Sequence, residues 1–583
     1  MEQDQSKGED GRSRSYIEKR YGFKGALAES KLKQYIPILI LTNLSSLLLV
    51  TVDGIVAGNL ISEEAFAAIS IIAPVNSFIG ALTLLFSSGT SSCLSLALGR
   101  ADTCEIQKYK HSTMMAMIFA SLACLIIQVP MTFAIVASYH LSPAMATMVR
   151  DYLIGALLAT PFSVVSTIGV GQLQIIGKMK VLMVLAAIEG VTNLIFDLLF
   201  VSAFNMGIAG TGYGTLLANI IRATLTVVYL ALKTDLFRFG GQKSGFRELK
   251  EVCTLGLPDT ANQAILTVQS YIILKVILSV AGEKGTVVCG ICSFTLNLMA
   301  VLMNAVMGSM RPLVGLFSGA NFMKGLRLLI RQARLVITIL ALSLISLMVI
   351  VPGLFFDLNG VTTPPDGSYD ALRIFSLALL LKGYNSIYRT YFTNRGEPKF
   401  TTILTVAGNC ILPVFVFVIS LFLPWQWIWL SYPLTETVMI FINQMKYSKK
   451  MNADIKTEEN DVGLLFLSVE PDQAIEASRT VRRYAEEVGA NMKVAYLSSL
   501  CLEEMVAYVV SSQKNENVKI EILIHFTKDG GKFIMLDDGK CISLDEDEDI
   551  RTLTTDNYTL LKRITKSMKY QYILNLNYTE YTF

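Results

Sequence analysis

Long apolar runs separated by short polar segments make up most of the chain before residue 447. A helix that spans a bilayer needs about 20 mostly apolar residues. Twelve runs meet this requirement, near residues 34–57, 65–97, 112–138, 150–174, 179–202, 206–232, 257–281, 286–316, 332–356, 369–392, 401–423 and 426–445. Their lengths and spacing predict an all-α polytopic membrane protein with twelve transmembrane helices.

Composition supports the same class of protein. The chain has 583 residues, of which 52% are hydrophobic, and its mean hydropathy is +0.49. These values exclude a single soluble domain. A net charge of +3 gives no indication of a nucleic-acid partner, and three histidines are too few to suggest a histidine-built metal site. The polar N-terminal tail contains no segment of the signal-peptide kind.

Basic residues are concentrated in the N-terminal tail and in alternate loops. The tail holds eight Lys or Arg. The loops expected on the same side add Arg100, Lys108, Lys110, Lys178, Lys180, Lys233, Arg238, Lys243, Arg247, Lys250, Lys324, Arg327, Arg331, Arg334, Arg395 and Lys399. The opposite loops carry only Lys284. The positive-inside rule therefore predicts that both termini lie in the cytoplasm.

The apolar region repeats itself. Gly99, at the end of the second run, matches Gly319 at the end of the eighth, and segment 172–183 matches segment 391–403. Because each half has an even number of spans, the halves form a parallel repeat of the kind found in rocking transporters. The predicted domains are a tail (1–33), an N-terminal lobe (34–232), a cytoplasmic linker (233–256), a C-terminal lobe (257–446), a charged linker (447–461) and a cytoplasmic domain (462–583). In that last domain, amphipathic helices alternate with strands, which predicts a small α+β fold.

Polar side chains interrupt the apolar runs of the N-terminal half. Asp53 and Asp197 lie at similar distances from the inner starts of their helices, so we expect them at a similar depth. Glu189, Asn193 and Asp197 recur at every fourth position and share one helix face. With Thr215, these oxygen atoms could bind one hard cation or share a proton. The alternatives are that Asp53 and Asp197 cap or snorkel near the outer interface and that Glu189 is a structural hydrogen-bond partner.

The C-terminal half differs in charge. The position that matches Asp53 is Lys275, which could line the cavity, pair with an acid, bind an anionic substrate group or snorkel. Lys382 and Glu436 lie at similar depths in the tenth and twelfth runs and are predicted to form a buried pair, either a structural lock or a gate. The asymmetry favours a single ion-coupling lobe.

Several motifs resemble the MATE (multidrug and toxic compound extrusion) family. They are segments 51–75, 86–102, 193–201, 206–219 and 307–320, in the family's order. The resemblance implies a monomeric antiporter, driven by H⁺ or Na⁺, that exports small organic molecules across a bacterial cell membrane. In the DinF-like branch, it also implies that Asp53, Asn193, Asp197 and Thr215 form the cation site, with Asp53 and Asp197 as ligands if the ion is Na⁺. Arg311 departs from the family pattern and is interpreted as a lineage detail.

The C-terminal domain resembles the ATP-binding domain of anti-sigma-factor kinases, which belong to the histidine-kinase-like ATPase group. Glu504, Asp537 and Gly539 match its nucleotide-binding residues. Tyr508 replaces the Asn that holds Mg²⁺, and the Gly-rich lid is missing. The sequence therefore predicts a degenerate ATPase fold that contacts a cytoplasmic protein partner or senses nucleotide weakly, with no required cofactor and no enzymatic activity.

Three functions are compatible with these observations. The first is a cation-coupled exporter of organic, drug-like compounds with a cytoplasmic regulatory domain. The second is a flippase for lipid-linked precursors, against which the N-terminal acids argue. The third is a membrane sensor that signals through the C-terminal domain.

Overall fold

The structure is a computed structural model of the full chain. It describes residues 25–583 except 101, 139–142, 235–244, 321, 360, 362, 460–462, 513–517, 528–529, 541–560 and 562–564.

Two bundles of six long helices form the larger part of the molecule. The N-terminal lobe contains α1 (Ala26–Leu60), α2 (Glu63–Gly99), α3 (Thr103–Ser138), α4 (Pro143–Ile175), α5 (Met179–Leu198) and α6 (Ile208–Lys233). The C-terminal lobe contains α7 (Phe246–Gly282), α8 (Lys284–Gly319), α9 (Met323–Ile350), α10 (Ser368–Asn394), α11 (Pro398–Phe422) and α12 (Ser431–Glu459), with a short helix, Pro352–Asp357, after α9. The mostly helical fold and the additional small sheet domain confirm the predicted fold class.

The number of membrane spans stays a prediction. Among the described residues, nine segments are long and apolar enough to cross a membrane, whereas the sequence pattern predicted twelve. The long helices α1, α10 and α12 are not among the nine. Helix α12 illustrates the reason, because polar residues such as Glu436, Asn443 and Gln444 interrupt even its more apolar first half.

Two predicted linkers are partly helical, which corrects their assignment. Residues 246–256 of the inter-lobe linker begin α7, and the helix continues to a break at Gly282, which has φ 59°. Residues 447–459 of the charged linker continue α12. In both places a charged, amphipathic sequence ends the apolar run without ending the helix, since Lys, Glu and Arg are good helix formers.

The two lobes meet where the repeat predicted equivalent residues. A Cβ on Gly99 would lie 2.5 Å from the carbonyl oxygen of Gly315, and a Cβ on Gly319 would lie 2.5 Å from the carbonyl carbon of Gly99. Repeat-related residues can touch each other only close to the pseudo-twofold axis that relates the lobes. The ends of α2 and α8 therefore close the bundle at the end that carries the basic loops, which we call the basic end.

The C-terminal domain is a five-stranded antiparallel sheet with two helices. The strands are β1 (Gly463–Val469), β2 (Ile520–Thr527), β3 (Gly530–Asp537), β4 (Ser567–Ile573) and β5 (Leu576–Thr582), in the order β1-β2-β3-β5-β4. Helices α13 (Ala474–Glu487) and α14 (Met492–Ser512) cover one face. This confirms the predicted mixture of helix and strand.

The other face of the sheet packs against the basic end of the bundle. Alternate residues of the strands, among them Leu523, Ile534, Leu536 and Tyr578, belong to the same buried apolar cluster as the membrane helices. An antiparallel sheet can leave one face in water. Here both faces are covered, one by the two helices of the domain and the other by the bundle. The domain is therefore docked on the bundle and is not simply connected to it by the chain.

The docked domain contacts both lobes. At the tip of the β4–β5 hairpin, Tyr35 Oη donates to the Leu574 carbonyl oxygen (2.7 Å), and Lys31 Nζ donates to that of Asn575 (2.9 Å). Both donors belong to α1. On the C-terminal lobe, the ring of Phe322 stacks on Phe466 of β1, with centroids 5.4 Å apart. The domain therefore bridges the lobes at the end where they meet.

Candidate ion-coupling site and polar cavity

The predicted polar stripe of α5 lies inside the N-terminal lobe. Glu189, Asn193 and Asp197 are all buried, with Asp197 fully so. Asn193 Nδ2 lies 3.4 Å from Asp197 Oδ2 and 3.4 Å from Thr215 Oγ1 of α6. The structure thus brings together three of the four predicted coupling residues, and their oxygen atoms are of the kind that hard cations prefer.

Close approach of α6 makes room for the Asp197 carboxylate. A Cβ on Gly214 would collide with Asp197 Oδ1. Asp197 also lies at the end of α5, where the helix widens into a π-helical turn at Leu199–Ala203. Such turns occur frequently at functional sites. Gly214 is part of the motif at 206–219, and its role was not apparent from the sequence.

The fourth predicted residue, Asp53, lies in α1, which packs against α5. Its side chain is outside the described residues, so its participation stays a prediction. In the described part of the chain, no group of three or more His, Cys, Asp or Glu side chains is arranged to hold a metal ion. A cation at this site could use the amide and hydroxyl oxygens of Asn193 and Thr215 together with the Asp197 carboxylate.

Glu189 has a different partner from the rest of its stripe. Its Oε2 lies 2.6 Å from Arg222 Nη1 of α6, and both side chains are largely buried. A buried carboxylate held by a guanidinium is stabilised in its charged form. This geometry supports the structural alternative for Glu189. Arg222 was missed in the sequence, although a charged residue inside a predicted span itself indicates a functional or structural role.

The C-terminal lobe contains a polar cavity of about 210 Å³. Lys382 Nζ lies 3.4 Å from Glu436 Oε1, so the predicted pair is present. Asn385 Nδ2 donates to Glu436 Oε2 at 2.7 Å and its Oδ1 accepts from Asn443 Nδ2 at 2.9 Å. The wall also contains Asn262, Gln263, Gln269, Met303 and Arg389. Amides, the thioethers of Met303 and Met439, and paired charges can contact a ligand with both polar and apolar parts.

Lys275 does not line this cavity. Its side chain is on an exposed part of α7, and Nζ lies 4.8 Å from the ring centroid of Tyr271 on the same helix. In this arrangement its side chain lies away from the cavity, and the cavity or gate role suggested for it stays a prediction. The snorkelling alternative fits its position, because the aliphatic chain lies along the helix.

A second charged cluster joins the lobes beside the cavity. Asp259 Oδ2 lies 2.8 Å from Arg311 Nη2 and accepts a hydrogen bond from Ser88 Oγ of the other lobe at 2.5 Å. Arg389 Nε is 3.9 Å from Asp259 Oδ1. The interpretation of Arg311 as a lineage detail is corrected, since it neutralises a buried acid. Asp259 was missed because its partner, Arg311, lies on another helix.

The predicted nucleotide residues lie in the C-terminal domain, but the Asp537 carboxylate is already engaged. Its Oδ1 accepts from Asn577 Nδ2 (2.6 Å) and from Gly539 N (2.9 Å). Burial raises the pKa of Asp537 to about 6. Glu504 lies on α14, half-buried. The segment at which a lid was expected lies outside the described residues.

Comparisons with known proteins agree with this architecture. A family model described as MatE matches residues 38–199. The multidrug export protein MepA of Staphylococcus haemolyticus is 24% identical over 392 residues, which cover 66% of this chain and 85% of that protein. MepA of Staphylococcus aureus is 23% identical over 63% of this chain and 81% of its own length.

Solved structures show the same fold. An outward-facing multidrug resistance MATE family transporter of the MOP superfamily superposes with a TM-score of 0.68, at 18% identity, over 74% of this chain and 99% of that one. A MOP superfamily transporter from Pyrococcus furiosus, described as having a binding pocket of reverse polarity, gives a TM-score of 0.65 at 18% identity over 73% of this chain and 96% of that one.

The two-lobed bundle, with a polar site inside each lobe, is that of a polytopic secondary transporter. The chain has the fold of MATE family transporters, its N-terminal lobe matches the MatE family model, and it has a docked C-terminal domain in addition.

Proposed function

We propose that this protein is a cation-coupled antiporter that exports organic, drug-like compounds by alternating access. The observation that carries the proposal is the separation of two polar sites. An acid, an amide and a hydroxyl meet in the N-terminal lobe at Asp197, Asn193 and Thr215, while a ligand-sized cavity lies in the other lobe. Export is what the curated names of its relatives say of those proteins.

In this mechanism, H⁺ or Na⁺ occupies the N-terminal site and substrate occupies the cavity. Each ligand changes the balance between two arrangements of the lobes in proportion to its difference in affinity for them. The basic end would face the cytoplasm by the positive-inside rule. The contact between Gly99 and Gly319 then belongs to the state closed towards the cytoplasm, and the Asp259 cluster strengthens the same closure.

The test is efflux of a fluorescent organic cation from vesicles under an imposed pH or Na⁺ gradient. Asp197→Asn and Asp53→Asn are each expected to abolish gradient-driven transport, because the amide cannot take up the proton or neutralise the cation. Asp370→Asn is the matched control, since that carboxylate is 69% exposed and pairs with Arg373 on the surface. Retained coupling in Asp197→Asn would contradict the proposal, and a wild type inert to organic cations would favour a lipid-linked substrate.

We also propose that the C-terminal domain regulates transport by holding the basic end closed. It binds α1 through Tyr35 and Lys31, and the loop before α9 through Phe322. A rigid body attached to both lobes resists their separation. The domain must therefore shift or detach before the transporter can open at this end, and a protein partner that competes for the sheet face would activate transport.

The double variant Tyr35→Phe/Phe466→Ala weakens one contact on each lobe without truncating the chain. We expect faster transport at saturating gradient and greater labelling of Cys104, near the start of α3, by a thiol reagent added at the basic end. Tyr496→Ala removes an exposed aromatic side chain from the helix layer of the same domain and is the control. Unchanged transport and labelling in the double variant would contradict the regulatory role.

A further inference from the structure

We propose that the C-terminal lobe carries a binding site for the phosphate group of an anionic membrane lipid, formed by Arg327, Arg331 and Arg334. These residues line a cavity of about 380 Å³ between α9 and the end of α12. The inference is independent of the transported substrate and of the coupling ion.

The three arginines share one face of α9. They occupy positions i, i+4 and i+7, which align along a helix. The opposite wall is formed by Gln444, Tyr447, Ser448, Met451 and Asn452 of α12. The lining side chains, all within the described part of the chain, include no carboxylate. The cavity is therefore positively charged and offers further hydrogen-bond donors from amide and hydroxyl groups.

Two neighbouring basic residues, at the end of α10 and on α12, are paired with acids, and these three are not. Arg395 pairs with Asp454, and Lys446 pairs with Glu397 at 2.7 Å. Among the residues that the structure describes, no carboxylate lies within 4.0 Å of the three arginines of the cavity. An excess of positive charge in the cytoplasmic loops is enough to set membrane topology and does not require the arginines to be grouped. Three arginines grouped in a concave cavity without acids are instead suited to binding an anion.

Contacts within the cavity orient the guanidinium groups. The Arg334 guanidinium carbon lies 5.3 Å from the ring centroid of Tyr447 and 5.4 Å from that of Tyr388. Arg327 Nη2 donates to Asn452 Oδ1 at 2.8 Å. The Nε atom of Arg334 is buried and donates to no acceptor within the described residues. Such fixed, planar donors suit the bidentate recognition of phosphate.

The depth of the cavity identifies the ligand as a lipid. Immediately after Arg334, α9 becomes apolar and presents Leu335 and Ile339 on its surface, 62% and 60% exposed. Exposed aliphatic residues along a transmembrane helix face acyl chains. The cavity thus lies at the level of the headgroups, where basic pockets between helices bind anionic lipids.

The experiment uses full-length protein in detergent and counts bound lipid by native mass spectrometry. Phosphatidylglycerol and phosphatidylcholine with identical acyl chains are titrated separately. We expect tighter binding of phosphatidylglycerol, and a loss of about tenfold or more in that affinity for Arg327→Gln/Arg331→Gln. Both side chains are exposed, so the substitutions should leave the fold intact. Arg331→Lys should have an intermediate effect, because lysine keeps the charge but loses the planar fork.

Lys180→Gln/Arg247→Gln removes two exposed positive charges elsewhere at the basic end and is the control. Its affinity for phosphatidylglycerol should match the wild type. Equal affinities of the wild type for the two lipids would overturn the proposal, and so would equal losses in the two double variants. If inorganic phosphate alone binds at micromolar concentration and displaces phosphatidylglycerol, the site is one for free phosphate and the lipid assignment is wrong.

Discussion

The two lobes, which the sequence predicts to be halves of a repeat, differ in the partners of their buried and partly buried acids. In the C-terminal lobe, Glu436 is held by Lys382, and Asp259 is held by Arg311. In the N-terminal lobe, Glu189 is held by Arg222, but the contacts described for Asp197 include the neutral amide of Asn193.

An acid fixed by a cation within the protein keeps its charge and supports the structure. An acid beside an amide, as Asp197 is beside Asn193, lies among oxygen and nitrogen groups that can accommodate a proton or a metal cation. The comparison therefore separates the structural charges of this bundle from its candidate coupling site.

The largest effect is expected from Gly214→Ala, which should reduce gradient-driven transport by on the order of 100-fold. The added Cβ would occupy the position of Asp197 Oδ1 and displace the carboxylate from Asn193. Gly190→Ala is the control, since a Cβ there meets nothing within 4 Å. The measurement is the vesicle assay described above. Equal transport by the two variants would mean that the position of the carboxylate is unimportant.

The second prediction concerns the acid that is held by arginine. Asp259→Asn should destabilise the protein by about 3 kcal/mol, because it leaves Arg311 buried without a counter-charge. The expected readout is a fall of several degrees in the midpoint of thermal unfolding of the purified protein. Asp370→Asn, which breaks a surface pair, should change the midpoint little. If Asp259→Asn instead left stability intact and removed ion coupling, the division between structural and coupling acids would fail.

A third, smaller effect links pH to the N-terminal lobe. Glu521 of β2 is buried, and its Oε1 accepts from Leu27 N in the first turn of α1 at 3.2 Å. Burial raises its pKa from 4.5 to about 7. Because the pKa is higher in the docked state, docking is most favourable below about pH 4.5 and loses this contribution as pH rises through 7.

The measurement is hydrogen exchange of the β4–β5 hairpin tip at pH 5.5 and pH 8, corrected for the intrinsic exchange rates. Protection should be greater at pH 5.5 by on the order of tenfold, and Glu521→Gln should reduce that difference. Asp537→Asn is the comparison variant, since the pKa of Asp537 is also raised but its contacts lie within the domain. An equal reduction in both variants would show that pH acts on folding of the domain and not on docking.

The smallest expected effect is that of nucleotide. ATP with Mg²⁺ at millimolar concentration should not shift the thermal midpoint of the full chain, because Asp537 Oδ1 already accepts hydrogen bonds from Asn577 and Gly539. Asn577→Ala removes one of these two donors and is the sensitised variant. A shift of several degrees in the thermal midpoint of the wild type would support nucleotide sensing. It would contradict the hypothesis that the domain is a degenerate ATPase fold.

Sequence patterns predicted most of the helices and part of the site, and the errors have physical causes. The i, i+4, i+8 stripe of α5 was predictable because helix periodicity fixes a common face. Arg222 and Asp259 were missed because the partner of each lies on another helix, and the pairing of charges across helices leaves no periodic signal in one segment. For Lys275, repeat equivalence gives a position along a helix but not the direction of its side chain, which the structure places on an exposed part of α7.

The amino-acid sequence by itself determined the membrane class, the two lobes, the α+β domain and the candidate coupling residues, since all of these follow from local periodicity, loop charge and repeated motifs. Tertiary structure alone decided which acids are neutralised, that the lobes touch at Gly99 and Gly319, and that the C-terminal sheet is docked on the bundle. These features depend on distances between segments that are tens to hundreds of residues apart in sequence, and no local pattern encodes those distances.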